Sequence, residues 1–184
     1  MPPRLEEVAA KVTFPLVAIP APDWKGTVFV GDVRAVGTQI RAVQIHYLTP
    51  AEDAGLVVSH LLPGEQAPDD PGRMTEHLAS FVSHFDPGYL SRKAKRGRFL
   101  PFPPKQWRRD EIIGTFGGQT VALQRSVNQK LPLRALRTAL VRDERAGDLC
   151  LGGWKMEPLE HLDRVRPLTL EIARDIDRGL IDSG

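Results

Sequence analysis

The chain has 184 residues, 41% hydrophobic and 26% charged, and its 25 Lys and Arg against 23 Asp and Glu give a formal net charge of +2. That composition belongs to a chain with one sizeable core, not to a disordered or fibrous one, and no run approaches the roughly 18 apolar residues of a membrane span. A single cysteine, Cys150, excludes an internal disulfide and cannot by itself build a structural zinc site, and Met1–Lys11 lacks a signal peptide's apolar region, so a cytoplasmic location is expected.

In chain order, Pro2–Ala10 reads as a short helix, because Leu5, Val8 and Ala9 fall at i, i+3 and i+4. Lys11–Ile19 is rich in Val, Ile and Phe, but Pro15 lacks the donor of a central ladder, which predicts an edge strand or extended cover. A turn at Ala21–Gly26 leads into two β-rich runs, Thr27–Val36 and Gln39–Leu48. Gly37-Thr38 divides them, and in the second Val43, Ile45 and Tyr47 alternate with Ala42, Gln44 and His46, as in an antiparallel pair. Leu56–Leu62, apolar on both faces, predicts a central strand ending at Pro63-Gly64. Glu65–Gly72 is an exposed loop.

Arg73–Phe85 carries the clearest helical signal: Met74, Leu78, Phe81, Val82 and Phe85 form one apolar stripe that ends at Asp86-Pro87-Gly88. Gly97–Lys105, with three prolines, reads as an extended loop. The second half reads as a meander of Thr120–Val127, Leu133–Arg142 and Leu149–Met156, with turns near Asn128–Lys130 and at Arg145–Gly147. Cys150 lies in the alternating run Asp148–Leu151, where it reads as a small buried hydrophobe. Pro158 opens one C-terminal helical segment. Thr169 caps another, with Ile172, Ala173 and Ile176 on its core face and Gly179 at its end. Hairpins outnumber crossover helices, which predicts an α+β fold: a mostly antiparallel sheet of about six to eight strands with a central helix and C-terminal helices packed on one face. A single domain over residues 1–184 is expected.

The charge is unevenly spread. Between Asp86 and Asp110 lie eight basic residues and no acidic one: Arg92, Lys93, Lys95, Arg96, Arg98, Lys105, Arg108 and Arg109. Without them 17 basic residues face 23 acidic ones, a remainder of −6. Aromatic and proline residues interleave with this basic strap, including Tyr89, Phe99, Phe102 and Trp107. The strap, residues 86–110, therefore predicts docking to an acidic protein partner or neighbouring subunit, with Arg92, Arg96, Arg98, Trp107, Arg108 and Arg109 as contacts, since arginine and tryptophan concentrate interface energy. Nucleic acid is an alternative ligand for the same strap, through phosphate neutralisation and base stacking. An internal pairing of strap arginines with Glu65, Asp69 and Asp70 competes with both.

Signals for chemistry are sparse. Five histidines are present. His77 and His84 lie about 10 Å apart along a helix, too far to share one ion unaided. His46 and His60 fall on neighbouring strands and could face each other in a suitable register. Glu52/Asp53, Asp69/Asp70, Asp110/Glu111 and Asp143/Glu144 read as solvated turn pairs. Gly114–Thr120 is glycine-rich but lacks a P-loop's Lys-Ser/Thr and reads as a turn. Ser59 sits in no nucleophile elbow and points away from His60. No metal site and no cofactor are expected. A non-enzymatic interaction protein is the leading expectation. The alternative from a different class is a small enzyme with a pocket between the first sheet and the Arg73–Phe85 helix, with His46, His60 and His77 as candidates for proton transfer and a strap arginine holding an anionic substrate.

Overall fold

The computed structural model describes residues 2–68, 71–87, 107–116, 119–128 and 135–182, with the backbone alone for 107–116 and 119–128. The chain runs α1 (Leu5–Lys11), β1 (Val17–Ala18), β2 (Thr27–Val36), β3 (Gln39–Leu48), β4 (Gly55–Leu61), α2 (Pro71–His77), α3 (Ala79–Phe85), β5 (Trp107–Phe116), β6 (Gln119–Asn128), β7 (Leu136–Val141), β8 (Leu149–Trp154), β9 (Arg166–Pro167) and α4 (Leu170–Asp182), with 3₁₀ turns at Ala21–Asp23 and Pro158–Arg164. The fold is α+β. Seven strands form one antiparallel sheet in the order β2-β3-β4-β8-β7-β6-β5, and β1 pairs β9 in a separate two-stranded ribbon. Two meanders thus meet through β4 and β8, whose register sets Ser59 opposite Cys150 and Val57 opposite Gly152.

The alternation expected of β3 and β4 sorts their side chains between two cores. On one face Val43, Ile45, Tyr47, Leu56, Val58, Ala139, Val141 and Leu151 pack under α1, α4 and the N-terminal segment. On the other, Val57, Leu61, Leu136, Leu140, Cys150 and Trp154 pack under Met74, Leu78, Phe81 and Val82. Helices therefore cover both faces, where a single helical face was expected. Each fully buried Leu or Phe contributes about 1.5–3 kcal/mol, so the central strands β4 and β8, buried along their whole length, anchor both layers.

Side chains tie the outer pieces down. Asp177 of α4, 3% exposed, accepts from the first N–H groups of α1, those of Leu5 (2.7 Å) and Glu6 (3.0 Å), supplying the anion that a helix N-terminus favours. The Tyr47 hydroxyl accepts from the Ile19 N–H at 3.0 Å, and the Trp24 indole donates to the Leu48 carbonyl. Thr169 Oγ1 accepts from the Ile172 N–H at 3.2 Å as an N-cap. The helix it opens runs through Gly179 to Asp182, so Gly179 does not end it.

Two more expectations change. The Arg73–Phe85 helix starts earlier and breaks at Leu78 (φ −95°, ψ 17°), although the Leu78 and Val82 N–H groups still donate to the Met74 and Leu78 carbonyls. No strand is expected between Lys105 and Thr120, yet Trp107–Asp110, the end of the basic strap, opens β5, the edge strand of the sheet, with Trp107 opposite Asn128 and Arg109 opposite Ser126. The same strand holds Asp110/Glu111 and runs through Gly114 to Phe116, and Gln119 and Thr120 open β6, so these residues of the predicted glycine-rich turn are strand; residues 117–118 lie outside the described residues.

Candidate functional site

A row of polar residues crosses the sheet beneath the helix break. Antiparallel register sets Asp32 opposite Gln44 and Gln44 opposite Ser59, and all three face α2. Asp32 reaches this face because the β2–β3 ladder slips between Val30 and Asp32. Gly31 is the extra residue of that bulge, and an extra residue re-aims every side chain after it. Were Gly31 instead paired in register opposite Gln44, Asp32 and Arg34 would point into the core beneath α1 and α4. Glycine is required there for another reason: a Cβ on Gly31 would lie 2.1–2.2 Å from three atoms of the His46 ring.

The helix break supplies the other wall. The Gln44 amide donates to the His77 carbonyl at 2.9 Å, taking an acceptor that an unbroken helix would use internally; a side chain entering the ladder is an ordinary cause of a kink. This bond also orients everything beyond it. A carbonyl only accepts, so Gln44 presents its NH₂ to His77 and its Oε1 to His46 Nε2 at 3.3 Å, with the Ser80 hydroxyl at 3.4 Å. His46 therefore carries its proton on Nε2, and its Nδ1 accepts from His84 Nε2 at 3.0 Å. Phe29 and Phe81 meet the His46 ring edge to face, with centroids 5.4 and 5.5 Å away. Burial, with His84 beside it, pulls the His46 pKa down to about 3. His46 is a neutral structural strut.

His77 is placed differently. Its Nε2 lies 2.8 Å from the Ser59 hydroxyl, and its Nδ1 makes no hydrogen bond among the described residues. Burial, reinforced by the Arg34 charge and opposed by Asp32, lowers its pKa below the ordinary 6.5, so the ring is neutral at pH 7. With Asp32, Arg34, Ala42, Gln44 and Glu76 it lines a cleft of about 270 Å³. Ser59 itself is fully buried, beneath the histidine and away from any ligand. A hydroxyl both donates and accepts. Ser59 therefore supports either tautomer of His77, and Nδ1 is free to take up or release a proton while Nε2 stays paired.

His60, which a different register could have set facing His46, lies opposite Val43 and faces the other core, because β4 alternates and Ser59 takes the α2 face. Its Nε2 accepts from the Val17 N–H at 2.9 Å, and its Nδ1 donates to the Val43 carbonyl at 3.3 Å. Burial holds its pKa down to about 4 against the pull of that carbonyl. It pins β1 to the sheet and takes no part in the cleft. Of the three histidines named from sequence, His46 and His77 share Gln44, and His60 is separate. Asp32, Arg34, Gln44 and Glu76 were not singled out; the isolated glycine inside the β2 pattern was the available signal, because it marks a bulge.

The strap residues contribute little geometry. Arg92, Arg96 and Arg98 lie outside the described residues, as do Asp69 and Asp70. Trp107, Arg108 and Arg109 occupy consecutive positions of β5. Glu65, an expected partner for strap arginines, is engaged by Arg41 at 2.7 Å and Arg34 at 3.6 Å. Cys150 is buried with its thiol pKa raised by burial, which makes it inert. Among the described residues no three His, Cys, Asp or Glu side chains gather as a metal site, and no helix is long and apolar enough to cross a membrane. No protein-family model, curated protein or solved structure matches the chain.

Proposed function

We propose that the chain is a small enzyme whose His77 transfers a proton to or from an anionic substrate held by Arg34. The observation that carries this reading is the 2.8 Å contact of His77 with a buried serine at the wall of a charged cleft. A neutral imidazole with one nitrogen paired and the other available meets the first need of general acid–base catalysis. Arg34, on the rim with Asp32, offers the fork of donors that carboxylates and phosphates fit. The cleft, about 270 Å³, suits a metabolite-sized substrate. Ser59 acts as a positioning residue through His77, and Gln44 as another through the helix break.

The test needs no prior substrate. A small-molecule extract is incubated with the wild-type protein, with His77→Gln and with Arg34→Gln, and anionic metabolites are followed by mass spectrometry. Consumption of one anion and appearance of another by wild type alone supports the reading; identical profiles for all three sink it.

A second reading rests on the sheet order: β5 is an edge strand, and the basic strap runs into it at Trp107-Arg108-Arg109. In that reading the chain is a cytoplasmic assembly protein that docks an acidic partner, or nucleic acid, through Arg92, Arg96, Arg98, Trp107, Arg108 and Arg109. Reversal of Arg96, Arg98, Arg108 and Arg109 to Glu separates its forms. Salt-sensitive retention on immobilised nucleic acid that vanishes in the variant favours nucleic acid, and partner capture that survives reversal removes the strap from consideration.

A further inference from the structure

Arg34 is charged, rims the cleft and makes no hydrogen bond among the described residues. Its nearest anion is Glu65, at 3.6 Å from Nη2, beyond hydrogen-bond range. The same carboxylate is bound by Arg41 at 2.7 Å, a short charge-assisted contact. Two guanidinium groups thus face one carboxylate, while Asp32 and Glu76 stand on the lining of the cleft itself. Arg41 adds an unmet need of its own, for its Nε is buried without a hydrogen-bond partner. Strand irregularity brings the two arginines together. Arg34 pairs opposite Ala42, and the ladder then slips so that Ala35 pairs with Ile40, leaving Arg41 as the extra residue of β3.

Resting on the reading above, we infer that Arg34 and Arg41 form an oxyanion-binding clamp and that Glu65 is its internal competitor, a tethered carboxylate standing where a ligand's carboxylate or phosphate binds. The planar donor fork of arginine matches both oxyanions. The Glu65 contact is weakly held: the side chains of Arg34, Arg41 and Glu65 are 50%, 38% and 25% exposed, and partly exposed ion pairs contribute little. Displacing Glu65 therefore demands little of an incoming anion, and Glu65 sets the affinity. In its absence the clamp holds small oxyanions nonspecifically. In its presence they bind more weakly, and a substrate with further contacts in the cleft, such as to His77, displaces it more readily.

Calorimetric titration at low ionic strength, with inorganic phosphate in one arm and acetate in the other, tests this on wild type, Glu65→Gln and Arg34→Gln. Glu65→Gln is expected to bind one of the two anions about fivefold more tightly than wild type, the worth of one partly exposed ion pair. Arg34→Gln is expected to lose the binding. The arm that responds identifies the oxyanion. Equal affinity in wild type and Glu65→Gln, or undiminished binding by Arg34→Gln, overturns the inference. Should Glu65→Gln fail to fold, Glu65→Asp, which withdraws the carboxylate by one methylene, is expected to tighten binding less, and no tightening overturns the inference equally. The titration reads binding and not turnover: tightening without metabolite consumption fails the enzyme reading alone, and consumption without tightening fails the clamp alone.

Discussion

Lowering the pH from about 7.5 to about 5 should cost this protein a large part of its stability, because two buried histidines are held neutral. His46 and His60 have pKa values near 3 and 4 in the folded chain, against an ordinary 6.5. Their folded pKa values lie below the unfolded ones, so their contribution is fully present above pH 6.5 and is lost as pH falls toward the folded values. Between pH 6.5 and 5 each loses about 1.4 kcal/mol per pH unit, or about 2 kcal/mol, and together about 4 kcal/mol. His77 and His84, also shifted downward by burial, act in the same direction. Asp143, lowered by the N–H groups of Ala146 and Arg145, loses its contribution only below its ordinary 3.8, outside this window. The assay is urea unfolding at half-unit pH steps, for wild type and for His60→Gln, which cannot titrate. The variant should start less stable, having lost the fit between Val17 and Val43, and should lose about 2 kcal/mol less than wild type over the same window. A wild-type stability that changes by less than about 1 kcal/mol over this range, or an undiminished slope in His60→Gln, would refute the assignment of these two rings as neutral struts.

Other substitutions probe the frame of the cleft. Gly31→Ala places a methyl within 2.2 Å of the His46 ring; chemical denaturation should show a loss of about 1–3 kcal/mol from overpacking, with the His46 ring resonances displaced. Gln44→Leu leaves the His77 carbonyl and the His46 Nε2–H without their partner, and the same assay should register about 1–3 kcal/mol for each buried group orphaned. Gly179→Ala should raise the thermal midpoint, since the helix continues through this position and a Cβ there meets nothing within 4 Å; the gain is about 0.5–1 kcal/mol. Lys155→Gly should also stabilise, by about 1 kcal/mol, because Lys155 sits at φ 55°, a left-handed conformation costly for a side-chain-bearing residue.

Much of the sheet is legible in the sequence for a simple reason: β2, β3, β4 and β8 each bury side chains with period two or along their whole length, and turn residues separate them. β5 as a whole is not legible, because Trp107-Arg108-Arg109-Asp110-Glu111 carries charge without an apolar alternation and its strand pairing comes from β6. The helix break was hidden because Met74, Leu78, Phe81 and Val82 keep one apolar stripe through it; the cause lies 34 residues away in Gln44, whose amide meets the His77 carbonyl. The candidate site is less legible still. Ser59 and His77 are 18 residues apart and His46 and His84 are 38 apart, so their meeting depends on register and helix placement, which local spacing does not encode. His46 and His60 illustrate the same point from the other side: adjacent strands carry them, yet pleat parity sends them to opposite cores. The signals for the site in the sequence are His46 and His77, named as candidates, and Gly31, a glycine inside a strand where a bulge re-aims Asp32 and Arg34.

The claim on which the rest depends is that His77, on the wall of the cleft, is a neutral imidazole seated on Ser59. Long-range ¹H–¹⁵N spectra of the histidine rings, recorded for wild type and Ser59→Ala across the pH range, test it directly. The structure predicts that His77 is neutral at pH 7, titrates below 6.5, and changes its tautomer balance in Ser59→Ala while the His60 signals stay in place. An imidazolium at pH 7, or a His77 ring indifferent to loss of the serine hydroxyl, would contradict it.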